Sequence, residues 1–242
     1  MAVKAEPLSY SVDGVEMLST YYVDDATTGR RPGVLVFSDA RGLDDVAHNG
    51  ARRLAEQGYA AIACDVYGGG RYIEDRDEAI ELATRLVAAP DMTRNRGVAG
   101  IAALTAHPEV DPSKIAAMGY CFGGNVAVEI ARGGVPLAAS VGFHGGAVPP
   151  MAERTRNITG KILLCLGSND PMIPLEMRTP FEEDMRAAGV DFRMHIYGGV
   201  YHSFTNPAID QQMNMPETFR YDAKAEARSW KEMIALFEEV FG

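Results

Sequence analysis

The stretch that most constrains this chain is Gly119-Tyr120-Cys121-Phe122-Gly123-Gly124. A short apolar run, Lys114-Ile115-Ala116-Ala117-Met118, leads into it from the turn signal Asp111-Pro112. Behind it Ala127, Ile130 and Ala131 recur at helical spacing. Strand, Gly-x-Cys-x-Gly, helix is the layout of a nucleophile elbow, a turn so sharp that side chains beside the central residue would strike the strand or the helix. The competing reading is a buried cysteine in a glycine-rich strand-to-helix turn. A thiol held at a helix N-terminus is drawn towards thiolate by the dipole and the free N–H groups there.

The flanking pattern predicts the sheet. Runs at 8–12 and 17–23, joined at Asp13-Gly14, read as a hairpin. Val34-Leu35-Val36-Phe37 reads as a strand buried on both faces, followed by a helix over 44–57 and a second buried strand over 59–64. Helices are predicted over 74–88, 93–105 and 176–188, and strands over 137–143, 161–166 and 191–197. Strands alternating with helices over short connections make a mostly parallel central sheet with helices on both faces, an α/β fold in one domain spanning 1–242. The last helix, over 219–241, sets Ala223, Ala227, Trp230, Ile234, Phe237 and Phe241 along one apolar stripe that docks against the sheet. Gly68-Gly69-Gly70 lacks the Gly-Lys-Ser/Thr ending of a phosphate-binding loop.

A cysteine at an elbow needs a base, and the base needs an orienting acid, both in loops past the carboxyl ends of strands. Asp170 follows the strand at 161–166 and His202 follows the strand at 191–197. The chain order Cys121, Asp170, His202 is the nucleophile, acid, histidine order of α/β-hydrolases. By the same layout an oxyanion would be held by the backbone N–H groups of Phe122 and Ala40. His144 ends a strand, where it lines the pocket or serves as an ordinary loop histidine. His48, His107 and His195 read as structural, and Cys64 and Cys165 as buried small hydrophobes. No spacing suggests a metal site, and no cofactor is expected.

These motifs resemble the dienelactone hydrolase family. The likeness rests on the Gly-Tyr-Cys-Phe-Gly-Gly elbow, on Asp170 in its Asp-Pro-Met-Ile-Pro setting and on Gly-x-x-x-His-Ser-Phe around His202. It runs from Val34 to the C-terminus and includes the segment at 59–68. The resemblance implies an α/β-hydrolase fold and hydrolysis of an enol lactone or other activated ester through a cysteine acyl-enzyme. Two positions depart from the pattern. The family glutamate that helps ionise the thiol aligns with Asp39, one methylene shorter. Where the dienelactone enzymes carry an arginine for the substrate carboxylate, this chain reads Thr205-Asn206. Arg71, Arg76 and Arg85 are the cations available from the other side, in segments where a solvated arginine is the ordinary role. An acyltransferase using the same triad, a thiol redox protein and a non-catalytic ligand-binding protein on this scaffold are the alternative readings.

Composition narrows the partners. The formal charge of −10 with no basic run argues against nucleic acid and anionic membranes. No apolar h-region opens the chain, and three cysteines suit a reducing compartment, so a cytoplasmic location is expected. The expected partner is a small ester or lactone, met by a monomer or a small homo-oligomer.

Overall fold

The computed structural model describes residues 3–26 and 28–242; Met1 and Ala2 of the N-terminal segment lie outside them. The elements in chain order are β1 (Val3–Val12), β2 (Val15–Asp24), β3 (Arg31–Phe37), α1 (Asp45–Glu56), β4 (Ala60–Cys64), α2 (Arg76–Val87), α3 (Pro90–Thr105) and β5 (Val110–Tyr120). There follow α4 (Phe122–Arg132), β6 (Ala139–Phe143), α5 (Ala152–Thr155), β7 (Lys161–Gly167), α6 (Leu175–Ala188), β8 (Phe192–Tyr197), α7 (Ile209–Gln212) and α8 (Ala223–Phe241). One eight-stranded sheet runs in the order β1-β2-β4-β3-β5-β6-β7-β8. From β4 to β8 every pairing is parallel, while β1 and β2 are antiparallel. This is the α/β-hydrolase fold.

The hairpin forms where Asp13-Gly14 sits. Both residues adopt positive φ, 51° and 75°, the handedness that matches strand twist in a two-residue turn. Both strands are longer than the apolar alternation predicted. The central strands carry the core on two faces. In β3, Val34 and Val36 pack with α1 and α8, whereas Leu35 and Phe37 pack on the side of α4 and α6. α1 starts at Asp44, whose carboxylate accepts the Ala47 N–H at 3.0 Å.

The last helix differs from its predicted stripe. Asp222 caps it through the Lys224 and Ala225 N–H groups, so it starts four residues later than predicted. Trp230, Phe237 and Phe241 of that stripe are buried, but Ala223 and Ala227 are exposed, and Ala225, Ser229, Met233 and Leu236 are buried beside them. Phe219, the predicted start, is held by a parallel bridge to His202. Among the described residues no helix is long and apolar enough to cross a membrane.

Candidate active site

Cys121 stands between β5 and α4 at φ 52°, ψ −116°, a region a non-glycine residue occupies only when its surroundings force it. The forcing groups are backbone. A Cβ on Gly119 would lie 2.1 Å from the Gly123 carbonyl, and one on Gly123 would lie 2.4 Å from the Phe37 carbonyl oxygen. The helix therefore starts pressed against the ends of β3 and β5, and only glycine fits. Cys121 N–H donates to the Phe143 carbonyl at 2.9 Å, which pins the turn to β6. Phe122, the first residue of α4, has an N–H without an intrahelical acceptor.

The loops after β7 and β8 bring two more groups to the same edge. His202 Nδ1 and Asp170 Oδ2 are 2.7 Å apart, and both side chains are buried. Asp170 Oδ1 accepts the N–H groups of Met172 (2.8 Å) and Ile173 (3.2 Å), so the carboxylate is fully engaged. Beneath this loop the Arg178 guanidinium donates to the Ile173 and Gly167 carbonyls, each at 2.6 Å. His202 Nε2 is buried with no hydrogen-bond partner. It sits near enough to Cys121 for the sulfur to act on it electrostatically, without meeting hydrogen-bond geometry. Burial pulls the His202 imidazole down, but the Cys121 sulfur and the Asp170 carboxylate outweigh it and lift the ring to about 10. These neighbours favour the imidazolium form.

Cys121 and His202 line a cavity of about 270 Å³ together with Ala40, Phe122, His144 and an apolar wall. Tyr67 ties two of these walls together. Its hydroxyl donates to the Ala40 carbonyl at 2.9 Å, and its ring stacks on Phe122 with centroids 6.1 Å apart. His144, at φ 41°, is 2% exposed and shares a 2.8 Å hydrogen bond through Nε2 with Thr205 Oγ1. Its Nδ1 is buried without a partner. Burial and the neighbouring His202 charge hold its pKa well below that of a free imidazole, so His144 is neutral.

Other predicted residues lie elsewhere. Asp39 does not line the cavity; its Oδ1 accepts the Arg41 N–H at 2.8 Å within its own loop. Desolvation raises its pKa against the pull of Arg41 and His202, and it helps push the neighbouring Asp44, itself desolvated, up to about 8. Arg71, Arg76 and Asn206, the pocket candidates around the missing arginine, do not line this cavity. Arg71 reaches Glu78 at 2.6 Å, and Arg76 opens α2 outside the cavity. Asn206 bonds Gln212 and the Ala208 N–H and lines a separate groove of about 970 Å³. That larger groove contains neither Cys121 nor His202, so the smaller cavity is the candidate site. Tyr67, Thr205 and Arg178 were not singled out from the sequence. Tyr67 lies inside the segment that carries the family resemblance; a buried arginine in an amphipathic helix leaves no such trace. Among the described residues no three His, Cys, Asp or Glu side chains converge as a metal site.

Comparison with known proteins agrees with this architecture. The model of the dienelactone hydrolase family matches residues 18–241. A crystal structure of a dienelactone hydrolase-like promiscuous phosphotriesterase from metagenomic libraries superposes with a TM-score of 0.95, at 39% identity over 100% of both chains. The carboxymethylenebutenolidase of a Pseudomonas species is 29% identical over 62% of this chain and 65% of its own. The dienelactone hydrolase of Anabaena variabilis, at 20% identity, shares the fold with a TM-score of 0.67 over 96% of this chain and 98% of its own.

Proposed function

The chain belongs to the dienelactone hydrolase family, and from that premise we propose that it hydrolyses activated carboxylic esters or lactones through a Cys121 acyl-enzyme. The observation that carries the reading is the shared cavity: Cys121 lines it with His202, and His202 is hydrogen-bonded to Asp170 at 2.7 Å. The Cys121 thiolate attacks the carbonyl carbon, and the C=O π pair moves onto oxygen. The N–H groups of Phe122 and Ala40 hold that oxyanion, each such donor contributing about 3–4 kcal/mol. As the carbonyl re-forms, the C–O bond to the leaving group breaks, and the His202 imidazolium gives its Nε2 proton to the departing oxygen. The products of this half are a thioester on Cys121 and a free alcohol or enol.

In the second half neutral His202 takes a proton from water, and the hydroxide attacks the thioester. The C–S bond breaks, the acid leaves, and the thiolate–imidazolium pair is restored. Thiolate is the better leaving group of the first intermediate unless the oxygen leaving group is itself stabilised. Enol lactones, aryl esters and thioesters are therefore favoured and amides are not. One structural relative is described as a promiscuous phosphotriesterase. A neutral aryl phosphotriester has a phenolate leaving group of the same kind and belongs in the first substrate panel.

The test is pre-steady-state hydrolysis of p-nitrophenyl acetate by wild type and Cys121→Ala. Wild type should turn over, with a burst matching enzyme concentration wherever deacylation is the slower step, and the variant should show neither. Normal turnover by Cys121→Ala sinks the mechanism.

A further inference from the structure

The wall of the cavity facing Cys121 is built from two helices. α2 contributes Ile80, Ala83 and Val87, and the approach to and first turn of α6 contribute Met172, Ile173 and Met177. Four of these large apolar side chains stay 40–46% exposed: Ile80, Val87, Met172 and Met177. Apolar groups held at the mouth of a concave site, rather than buried, mark a surface that something else covers. No lysine or arginine is among the lining residues. Arg71 is committed to Glu78, Arg178 to backbone carbonyls under Asp170, and Arg132 to Asp184 at 3.0 Å, while Arg76 and Arg85 of α2 are exposed and outside the lining. The positive group that does face the cavity, His202, is held by Asp170 and used for proton transfer. His144 is neutral. A carboxylate arriving against this lining would leave water and find no lysine or arginine in it, only the His202 charge already paired with Asp170. A hydrocarbon arm would be desolvated against four exposed apolar side chains.

Resting on the ester-hydrolase reading above, we infer that the substrate is uncharged apart from its reacting ester or lactone, with an apolar arm lying between α2 and α6. The patch is contiguous with Cys121 and His202, and this is why its occupant is assigned as substrate.

The experiment compares p-nitrophenyl hexanoate with mono-p-nitrophenyl adipate, two esters with one leaving group whose acyl ends differ as methyl against carboxylate. Wild type should prefer the hexanoate in kcat/KM by about 100-fold. From acetate to hexanoate each methylene should add about fourfold until the cleft is filled. Met172→Arg, and independently Ile80→Arg, should narrow the hexanoate preference by raising the adipate rate; folding of each is checked by its thermal transition. Equal rates for both esters, or a preference for the adipate, overturn the inference and leave the hydrolase reading standing. If wild type hydrolyses no ester, or Cys121→Ala equals it, the hydrolase reading falls and takes the inference with it. If Met172→Arg changes the mass in solution while the substrate ratio stays put, the patch is covered by a second copy of the chain and the inference is overturned.

Discussion

His202 and His144 occupy equivalent places, yet their pKa values shift in opposite directions. Each follows the carboxyl end of a parallel strand, β8 and β6, each is at most 2% exposed, and their rings sit 5.0 Å apart on one cavity. His202 has a carboxylate behind it at 2.7 Å and a sulfur ahead of it, and its pKa rises to about 10. His144 has a hydroxyl at 2.8 Å and the charge of His202 beside it, and its pKa falls well below that of free imidazole. Burial is common to both and favours the neutral ring in both. What separates them is which groups the neighbouring loops deliver. A histidine in a cavity is therefore read from its partners, not from its depth.

The largest way to break this contrast is Asp170→Asn, which takes the carboxylate from His202 and leaves it closer to the state of His144. In the proposed mechanism kcat should fall by roughly 10³- to 10⁴-fold, because the ring loses both its orientation and its stabilised charge. The active form needs protonated His202, so wild-type kcat/KM should decline as pH rises through about 10. In the variant that limb should move to lower pH. An alkaline limb that stays near pH 10, with turnover within tenfold of wild type, would show that Asp170 is not what distinguishes the two rings.

His144→Phe is the reciprocal test. Phenylalanine fills the site but cannot bond Thr205, so the loop carrying His202 loses one anchor. We expect kcat to drop about tenfold, a loss of roughly 1.4 kcal/mol, comparable to leaving one buried polar group unsatisfied. His144→Gln, which can accept or donate, should recover most of it. Should His144→Phe cost as much as Asp170→Asn, the catalytic role would be shared and the contrast lost.

Titration sharpens the same comparison in stability. The folded pKa of His144 is depressed, so its contribution is present above the free-imidazole value of 6.5 and is lost as pH falls below it. The folded pKa of His202 is raised, so its contribution is present below 6.5 and is lost as pH climbs towards about 10. The raised Asp44 carboxyl works in the opposite sense on the acid side. The His144 contribution is therefore read as the difference between wild type and His144→Gln in thermal unfolding followed between pH 5 and 9, extremes chosen as roughly bracketing the free value. The loss from either group is at most about 1.4 kcal/mol per pH unit. His144→Gln should remove that share of the acid-side dependence and leave the alkaline side as in wild type. An unchanged acid side would mean that His144 is already protonated in the folded protein.

How much of this was legible beforehand follows from how local each cause is. The elbow could be read because its requirement is covalent and near in sequence: Gly119 and Gly123 must lack side chains beside Cys121. The strand order of Cys121, Asp170 and His202 was legible because each follows an apolar run. The start of α8 and its two alanines were misplaced because alanine fits either face, and because Phe219 is taken by its bridge to His202, a pairing with no local signal. Arg71 and Asn206 lie away from this cavity, and the sequence could not place them because a loop side chain has no periodicity to fix its direction. Tyr67 and Arg178 act by donating to carbonyls of Ala40 and Gly167, 27 and 11 residues away, and such reach is set by folding alone.

Thr205→Val makes the smallest change and isolates one bond. Valine keeps the shape of threonine, so the only loss is the hydroxyl that meets His144 Nε2 at 2.8 Å. His144 would then be buried with both ring nitrogens unpartnered, since Nδ1 already is. The expected cost is about 1 kcal/mol of stability, seen as a fall of about 2–4 °C in Tm, with kcat lowered only about twofold to threefold. If Thr205 and His144 act through this one bond, adding Thr205→Val to His144→Phe should change nothing further. If the losses add instead, each residue supports the His202 loop on its own, and His144 owes its place to packing against His202 and Phe204, whose ring lies 5.3 Å from its own.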